Sequence, residues 1–375
     1  MKLKSTQIIA IAAVIIVVAA GIAVFALRDN DNDKDKTHEV TDMQGNVCVV
    51  PNDPKNVVIT SQSPMVPVYI YYKNGVDTLA GANSAGLTYA KNGVLGKIYD
   101  LTGIPTDFVS GSVVNEESLL KLNPDLVIYT GNRTDEHDML EKDNIANVGF
   151  NTAMTGGNST DPFEALECWL KLLKDICGDN GRADKLIDYN NAAKASVKAK
   201  IDTVADGDKP TAMIIFAINA NGTVKVAGNG HYSQYWLDAA GAKNVAAGLP
   251  GLKDVDMDQI IAWNPDYIFF ANSAGKMPTD IIENKIDGQN WSTVNAAINH
   301  KVYVFPAATY FSYAPSLEAG VTLQFLAKIM HPDLFSSVNM ENVAKQFFKD
   351  MFEYDASDEL VNKFLYPDPM SVVIH

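Results

Sequence analysis

N-E-E-S-L-L-K-L-N-P-D-L-V-I-Y at residues 115–129 and D-M-D-Q-I-I-A-W-N-P-D-Y-I-F-F at residues 256–270 are two copies of one pattern. They align without a gap at an offset of 141 positions (256 − 115). Each copy opens on a residue that caps helices, continues with a short apolar stripe at helical spacing, and ends in Asn-Pro-Asp before an apolar run. The proline ends the helix, and the apolar run is typical of a parallel strand covered on both faces. Two copies of this unit predict two similar α/β lobes.

Further strands and helices surround the two copies. Short apolar runs predict strands at residues 57–60 and 78–81 in the first lobe and at 212–218, 224–227 and 302–305 in the second. Helical periodicity covers residues 162–176 and 182–204, with a Cys-Gly-Asp-Asn-Gly turn between them. The second segment predicts one long helix that joins the lobes. Because a helix is a stiff connection, we expect only a small closure of the lobes on binding.

The N-terminus contains a candidate membrane segment. Residues 8–27 are an uninterrupted run of 20 apolar residues, long enough to cross a bilayer as a helix. Lys2 and Lys4 precede the run and an acidic segment at residues 29–35 follows it, which places the N-terminus inside and the rest of the chain outside. A cleaved signal peptide is the alternative, although its apolar region is usually only about 7–15 residues long. We expect an uncleaved anchor that holds the chain on the outer face of the cytoplasmic membrane.

These features divide the chain into four segments. Residues 1–36 are the membrane anchor or signal with its tether, and residues 37–180 are the N-terminal α/β lobe. Residues 181–208 are the linking helix, and residues 209–375 are the C-terminal α/β lobe. We expect the ligand site between the two lobes.

The composition argues against several classes of protein. The formal net charge is −15, with 45 acidic residues against 30 Lys and Arg, which argues against nucleic-acid binding. The three cysteines lack C-x-x-C or metal-finger spacing and the six histidines lack paired ligand spacing, so neither a disulfide framework nor a bare-metal site is predicted. Walker, H-E-x-x-H and G-x-S-x-G motifs are absent. We therefore predict neither enzyme activity nor a cofactor, and we expect a monomer.

Motifs spread over most of the chain carry a family resemblance. They are V-T-D-M-Q-G-N at 40–46, P-x-x-P-x-x-V-V at 51–58, both repeat copies, K-V-Y-V at 301–304 and L-A-K-I-M-H-P-D-L-F at 326–335. From about residue 40 to about residue 365 the chain resembles the ABC-importer substrate-binding proteins that take cobalamin, ferric siderophores and haem. The resemblance implies two Rossmann-like lobes with parallel sheets joined by a long rigid helix. It also implies a metal chelate as cargo, and an ABC permease with its ATPase as partners.

The same family docks on its permease through one surface carboxylate in each lobe, seven residues before the proline of the repeat. Counting back from Pro124 gives Glu117, and counting back from Pro265 gives Asp258. Asp258 departs from the family's glutamate and has a shorter reach. An acid in the first turn of a helix also stabilises that helix by about 0.3–1 kcal/mol with no partner, which is the structural alternative for both residues.

Candidate ligand residues are sought in the loops after the strands, because open α/β sheets bind ligands at the carboxyl ends of their strands. We select Gln62, Tyr89 and Arg133 in the first lobe and His231, Tyr232 and Tyr310 in the second, and leave Tyr313 open. Tyr89 is expected in a loop at residues 83–90. Aromatic walls with a few polar groups suit a bulky, partly planar ligand.

Several of these residues keep an alternative. Arg133, one of three arginines in the chain, either pairs with a ligand carboxylate or is a solvent-exposed loop residue. His231 and Tyr232 follow a Gly-x-Gly turn and either line the cleft or ligate a metal, yet a lone histidine that opens a helix is often a cap or a surface residue. Tyr310 is placed in the cleft, where its hydroxyl could recognise a ferric chelate.

Two functional hypotheses follow. The first is an extracytoplasmic receptor that captures a metal chelate, with a ferric siderophore ahead of a corrinoid, and hands it to an ABC importer. The second is a membrane-anchored ligand sensor or α/β enzyme that uses the same cleft. Only the receptor requires Glu117 and Asp258.

Overall fold

The computed structural model of the chain describes residues 36–110, 113–151, 160–271 and 276–367. The membrane segment predicted at residues 8–27 lies outside this part of the chain. Within the described residues, no helix combines the length and the apolar character that a membrane crossing requires.

The elements are numbered along the chain. The strands are β1 (Thr37–Thr41), β2 (Val47–Pro51), β3 (Val57–Ile59), β4 (Leu79–Ala82), β5 (Val109–Ser110), β6 (Val113–Val114), β7 (Leu126–Thr130), β8 (Asn147–Phe150), β9 (Thr211–Ile218), β10 (Val224–Ala227), β11 (Lys243–Asn244), β12 (Leu252–Val255), β13 (Tyr267–Phe270) and β14 (Val302–Val304). The helices are α1 (Met65–Lys73), α2 (Ser84–Asn92), α3 (Leu95–Ile98), α4 (Glu116–Leu120), α5 (Thr134–Lys142), α6 (Pro162–Cys177), α7 (Arg182–Ile201), α8 (Tyr232–Ala239), α9 (Met257–Trp263), α10 (Pro278–Ile282), α11 (Asn295–Ile298), α12 (Ala319–Met330), α13 (Met340–Phe352) and α14 (Asp358–Leu365). The predicted strands and helices are confirmed to within a few residues.

Four parallel strands form the N-terminal sheet, in the order β4-β3-β7-β8. Val57 and Ile59 of β3 belong to one apolar cluster, whereas Val58 between them belongs to another. Because alternate side chains of a strand point to opposite faces, this division shows that both faces of the sheet are covered. The near-continuous apolar runs of the sequence have this origin.

The C-terminal sheet is mixed, with the order β12-β10-β9-β13-β14 and β11 paired to the start of β9. Strands β10 and β12 run antiparallel to their neighbours, so the prediction of a purely parallel sheet is wrong for this half. The cause is a tight turn after β9, in which Asn219 N donates to Thr223 O at 2.9 Å and Gly222 has a φ of 83°. A connection this short permits only an antiparallel pair, since a parallel pair needs a crossover of about a dozen residues.

Both copies of the repeat have the same local structure. Asn115 and Asp256 cap α4 and α9 by accepting a hydrogen bond from the backbone N–H three residues later, at 2.8 and 2.9 Å. Asn264 is the C-cap of α9, and Asn123 lies three residues after the end of α4; both have left-handed φ values, 44° and 48°. Asparagine tolerates this conformation better than most residues, which explains why it precedes the proline in both copies.

The aspartate of each Asn-Pro-Asp turn fixes the register of the sheet. Asp125 accepts hydrogen bonds from the backbone N–H groups of residues 55 and 56, at 2.7 and 3.0 Å. Asp266 accepts from the N–H and the hydroxyl of Thr211, at 2.9 and 2.8 Å. Each aspartate therefore holds the start of the central strand, β3 or β9, next to the start of the strand that follows the turn.

Helix α7 has 20 residues and lies between the two sheets in sequence. Arg182 at its start donates from Nε to Tyr71 O at 2.7 Å and from Nη2 to Met351 O at 2.9 Å. These bonds join α7 to α1 and to α13, and one apolar cluster continues through α1, α6, α7, α12 and α13. The described chain is thus an α/β protein in which the C-terminal helices pack back onto the N-terminal half. The segment boundaries at 37, 181 and 209 stay predictions.

Candidate functional site

The two halves meet at an aromatic cluster of Tyr89, Tyr310 and Phe311. The ring centroid of Tyr89 lies 4.6 Å from that of Tyr310 and 5.9 Å from that of Phe311. Tyr89 and Tyr310 are only 6% and 7% exposed. Burial raises the pKa of both phenols, and at Tyr310 a hydrogen bond with Ser63 opposes this effect in part. Both side chains are therefore phenols, not phenolates, at neutral pH.

Tyr89 lies in α2 and not in the loop predicted at residues 83–90. Asn83 stands directly at the end of β4, and its side chain accepts a hydrogen bond from Ala85 N at 2.9 Å. This cap starts the helix at once, so that Tyr89 lies in its second turn. The predicted loop is wrong, although Tyr89 does reach the contact between the halves.

A close backbone approach brings α2 against the loop that carries Tyr310. Val94 N donates to Ala308 O at 3.1 Å. A Cβ atom at the neighbouring Gly93 would lie 1.9 Å from the same oxygen, so only glycine fits there. The absence of this one side chain lets the two halves touch where the aromatic rings meet.

A fully buried carboxylate, that of Glu318, organises the loop that carries Tyr310. It accepts hydrogen bonds from the backbone N–H groups of Ala308 and Thr309 at 2.9 and 3.0 Å. The hydroxyls of Thr309 and Ser312 donate to it at 2.6 and 3.0 Å. Tyr310 N donates to the same carboxylate at 3.5 Å, so that five donors fix the loop at Tyr310 and on both sides of it.

Glu318 is not among the site residues predicted from the sequence. One signal was available, because Glu318 is the lone charged residue between Lys301 and Lys328. A single acid inside a long uncharged stretch is more often buried and hydrogen-bonded than an acid in a charged helix.

His231 lies in a second aromatic cluster, with Tyr232 and Tyr313. The Tyr313 hydroxyl accepts a hydrogen bond from Ser233 N at 2.9 Å and is also hydrogen-bonded to His231 Nδ1. When this hydroxyl donates to Nδ1, the ring proton of neutral His231 lies on Nε2. Burial lowers the pKa of His231, so the neutral ring predominates at neutral pH. His231 occupies the N-cap position of α8, but its side chain makes no capping hydrogen bond.

Tyr232 and Tyr313 complete this cluster. The ring centroid of Tyr232 lies 5.6 Å from that of His231 and 5.9 Å from that of Tyr313. Tyr313 is 1% exposed, and its carbonyl oxygen accepts a hydrogen bond from Trp236 Nε1 at 2.9 Å. Tyr313, left open by the sequence, is therefore a buried support for His231.

Gln62 and Arg133 lie at the carboxyl edge of the N-terminal sheet. Beside them is a second buried carboxylate, Glu136, which accepts hydrogen bonds from the hydroxyls of Thr60 and Ser61. Arg133 Nε lies 3.5 Å from Glu136 Oε2. Burial raises the pKa of Glu136. This group fixes the turn after β3, as Glu318 fixes the loop after β14.

Gln62 is hydrogen-bonded within the protein and Arg133 is ion-paired there, although Arg133 Nε has no hydrogen-bond partner. Gln62 is buried, and its amide nitrogen donates to Phe150 O at 3.1 Å. Arg133 is 23% exposed and donates from Nη2 to Asp135 Oδ2 at 3.2 Å. Arg133 is thus partly buried between two carboxylates, and its charge is offset within the protein.

The docking candidates lie away from the carboxyl edges of the sheets. Glu117 and Asp258 are exposed in the first turns of α4 and α9, the helices that lead into the amino ends of β7 and β13. The ligand candidates form three groups: Tyr89 with Tyr310, His231 with Tyr232, and Gln62 with Arg133. Among the described residues, no three His, Cys, Asp or Glu side chains converge to hold a metal ion. The three groups offer aromatic surface, an imidazole N–H and hydroxyls, which suit ligand binding.

Comparisons with known proteins agree with this architecture. A family model described as periplasmic binding protein matches residues 96–309. The molybdate-binding protein MolA of Haemophilus influenzae is 26% identical over 256 residues, which cover 64% of this chain and 70% of MolA. A periplasmic solute binding protein from Veillonella parvula superimposes with a TM-score of 0.77 at 24% identity, over 88% of this chain and 96% of that one. The Ni-His complex of Helicobacter pylori CeuE gives a TM-score of 0.68 at 21% identity, over 88% and 100%.

Proposed function

The chain belongs to the periplasmic binding protein family, and we propose that it captures a metal chelate between its two halves and delivers it to an ABC importer. Proteins of this family bind small ligands and work with ABC importers. Within that class we place a ferric siderophore first and a corrinoid second. The contact of Tyr89 with Tyr310 carries this choice, since it supplies rings from both halves at one place. A ligand that enters there exchanges ring–ring contacts for ring–ligand contacts.

The charge of the site supports a bulky ligand over a small oxyanion. MolA is a molybdate-binding protein, which makes an oxyanion the second candidate. A small dianion requires several donors whose charge is not already offset. Arg133 lies 3.5 Å from Glu136 and 3.2 Å from Asp135, and burial favours the neutral form of His231. Aromatic contact with a larger chelate is therefore better supported by the described residues.

We assign the binding roles as follows. Tyr89, Tyr310 and Tyr232 provide aromatic walls, and His231 donates from Nε2. Gln62 and Arg133 have an indirect role. Together with Glu136 they hold the backbone of the turn after β3 in place. The chelate is cargo, and no cofactor or catalytic step is part of the proposal.

A fluorescence titration of the full-length chain tests the ligand. The panel is a ferric hydroxamate, a ferric catecholate, cyanocobalamin, haemin, nickel with histidine, and molybdate. Saturable binding tighter than about 1 µM, equivalent to about −8 kcal/mol, to a ferric chelate or to cyanocobalamin supports the proposal. Tight binding of molybdate alone would show that the chain binds an oxyanion and not a metal chelate. Silence across the panel, repeated by calorimetry, overturns the proposal and favours the sensor or enzyme hypothesis.

Delivery is proposed to use Glu117 and Asp258 as docking carboxylates. Both are exposed, and they are equivalent in the two copies of the repeat. Glu117→Ala together with Asp258→Ala should abolish uptake and spare ligand affinity, because neither residue lies near the ligand groups. A sensor would bind the same ligand and lose nothing in this variant. Unchanged uptake would exclude this docking assignment.

A further inference from the structure

Exposed large apolar side chains are concentrated around the two copies of the repeat. Among the described residues they number seven: Val47, Val113, Leu120, Leu252, Ile261, Ile298 and Tyr366. Val113 and Leu120 flank the N-cap of α4, and Leu252 and Ile261 flank the N-cap of α9. Single exposed apolar residues are ordinary, but here four of the seven lie within five residues of the N-cap of a repeat helix.

A fifth exposed residue, Ile298, lies beside the second copy. It is the last residue of α11, and the first residues of α11 bond the turn that ends α9. Asn295 N donates to Asn264 Oδ1 at 2.8 Å, and Ala296 N donates to Pro265 O at 3.0 Å. Only Val47 and Tyr366 of the seven have no connection with a repeat copy.

Leu120 and Ile261 are equivalent to each other, since they occupy the same position of the repeat, 141 residues apart (261 − 120). They are 45% and 37% exposed. Each stands three residues after the exposed carboxylate of its own helix, Glu117 or Asp258. Residues three apart share one face of a helix, so each copy presents a carboxylate and an apolar side chain together.

We propose that these two mixed patches, Glu117 with Leu120 and Asp258 with Ile261, dock on the two membrane subunits of an ABC importer, with Leu120 and Ile261 as the contacts that hold the complex. The inference rests on the proposed function and adds to it the apolar half of the surface. Two equivalent patches on two pseudo-equivalent units fit a partner that presents one surface twice. The carboxylates require cationic side chains on that partner, and the apolar residues require an adjoining apolar hollow.

The charges of the two patches differ. Glu117 is ion-paired with Lys121 at 2.8 Å, and both side chains are well exposed. The equivalent of Lys121 in the second copy is Ala262, and within the described residues Asp258 has no cation within 4.0 Å. A cationic loop must therefore displace Lys121 at the first patch but meets an unpaired carboxylate at the second. Asp258 should carry most of the salt dependence, while Leu120 and Ile261 contribute alike.

The test uses the full-length chain with the importer in lipid nanodiscs, after a photo-cross-linker at position 120 has identified the membrane subunit in intact cells. The patch variant is Leu120→Ser with Ile261→Ser. The control is Val47→Ser with Tyr366→Ser, which removes two apolar side chains outside the patches that are even more exposed than Leu120 and Ile261. We expect the patch variant to bind the importer roughly tenfold more weakly or worse, and the control to stay within about twofold. Ligand affinity should be unchanged in both.

Three outcomes overturn the inference. A patch variant that binds the importer within twofold of the wild type shows that the carboxylates act alone. A control that loses as much as the patch variant shows a nonspecific effect of surface polarity. If wild-type chain binds its ligand but neither cross-links to nor binds any ABC membrane subunit, the docking fails while the capture of ligand stands. Failure of the ligand titration itself is a separate result, because it is measured on the isolated chain.

Discussion

The Tyr89 ring lies 4.6 Å from the Tyr310 ring, centroid to centroid, and this contact joins a helix beside the N-terminal sheet to a loop after the last strand of the C-terminal sheet. Both rings are almost completely buried. The contact exists because Gly93 lets the backbone of one half reach Ala308 of the other, and because Glu318 holds the loop. Binding of a ligand at this place must replace part of the contact.

Tyr310 should act through its ring and not through a metal–phenolate bond. Burial raises its pKa, which disfavours the phenolate that a ferric ion would bind. We expect Tyr310→Phe to keep ligand affinity within about threefold and Tyr310→Ala to lose about tenfold, since an aromatic pair is worth about 0.5–1.5 kcal/mol beyond its buried area. Tyr366→Ala, at an exposed tyrosine, is the control for both. A large loss in Tyr310→Phe, with loss of a charge-transfer band, would instead assign Tyr310 as a metal ligand.

Glu318 should position the loop as well as stabilise the fold. Glu318→Ala leaves five buried donors without this acceptor, and each such group costs about 1–3 kcal/mol. We expect a loss of about 3 kcal/mol or more in denaturant unfolding, and weaker ligand binding at temperatures where the variant is folded. Glu318→Gln keeps an acceptor and should recover part of both losses. Glu341→Ala, at an exposed acid of α13, is the control and should change neither stability nor ligand affinity. Normal ligand affinity in folded Glu318→Ala would show that Glu318 stabilises the fold but does not position the loop for binding.

The repeat was predictable from the sequence because its determinants are local. Caps, the αL asparagine and the proline act within a few residues, and the structure confirms them at Asn115, Asn123, Asp256 and Asn264. The loop predicted around Tyr89 is wrong although its determinant is also local. The cap at Asn83 starts a helix where a loop was expected.

The buried carboxylates were not predictable in the same way. Glu136 stands in T-D-E-H at the start of a helix and resembles a solvent-exposed first-turn acid, whereas for Glu318 the uncharged stretch around it indicates burial but not its partners. Their burial depends on hydroxyls and N–H groups contributed by other segments, such as Ser61 and Thr309. Pairings of this kind arise from tertiary packing, which local patterns do not encode.

The two repeat asparagines with left-handed φ, Asn123 and Asn264, offer a matched pair of stability measurements. Replacement by Ala should cost about 1–2 kcal/mol at either site, because a Cβ-bearing residue without a local hydrogen bond is disfavoured in this conformation. Asn123→Gly should be close to neutral. Asn264→Gly should still lose about 1 kcal/mol, since Asn264 Oδ1 accepts a hydrogen bond from Asn295 N at 2.8 Å. Equal effects of the two glycine variants in urea unfolding would contradict this reading.

Residues 8–27 are expected to remain on the mature chain as a membrane anchor. The intact mass of protein extracted from membranes should include the first 36 residues, and the protein should resist an alkaline carbonate wash. Val17→Arg with Val18→Arg should release it, since each arginine costs about 2.5–3.5 kcal/mol at the centre of a span. A mature chain that starts after residue 27 and washes off the membrane would establish a cleaved signal peptide instead.

His231 should make stability fall as the pH falls through the normal range of histidine. Burial lowers its folded-state pKa, whereas in the unfolded chain the value stays near 6.5. As the pH drops below about 6.5, the unfolded chain takes up a proton before the folded chain does, so unfolding is favoured by about 1.4 kcal/mol for each unit by which the pKa is lowered. The loss ends below the folded-state pKa. Urea unfolding at several pH values between 8 and 5 measures this slope, and His231→Gln should reduce it. All other groups titrate in both the wild type and the His231→Gln variant, so the difference between their two slopes reports His231 alone. Identical slopes would show that His231 has the same pKa in the folded and the unfolded chain.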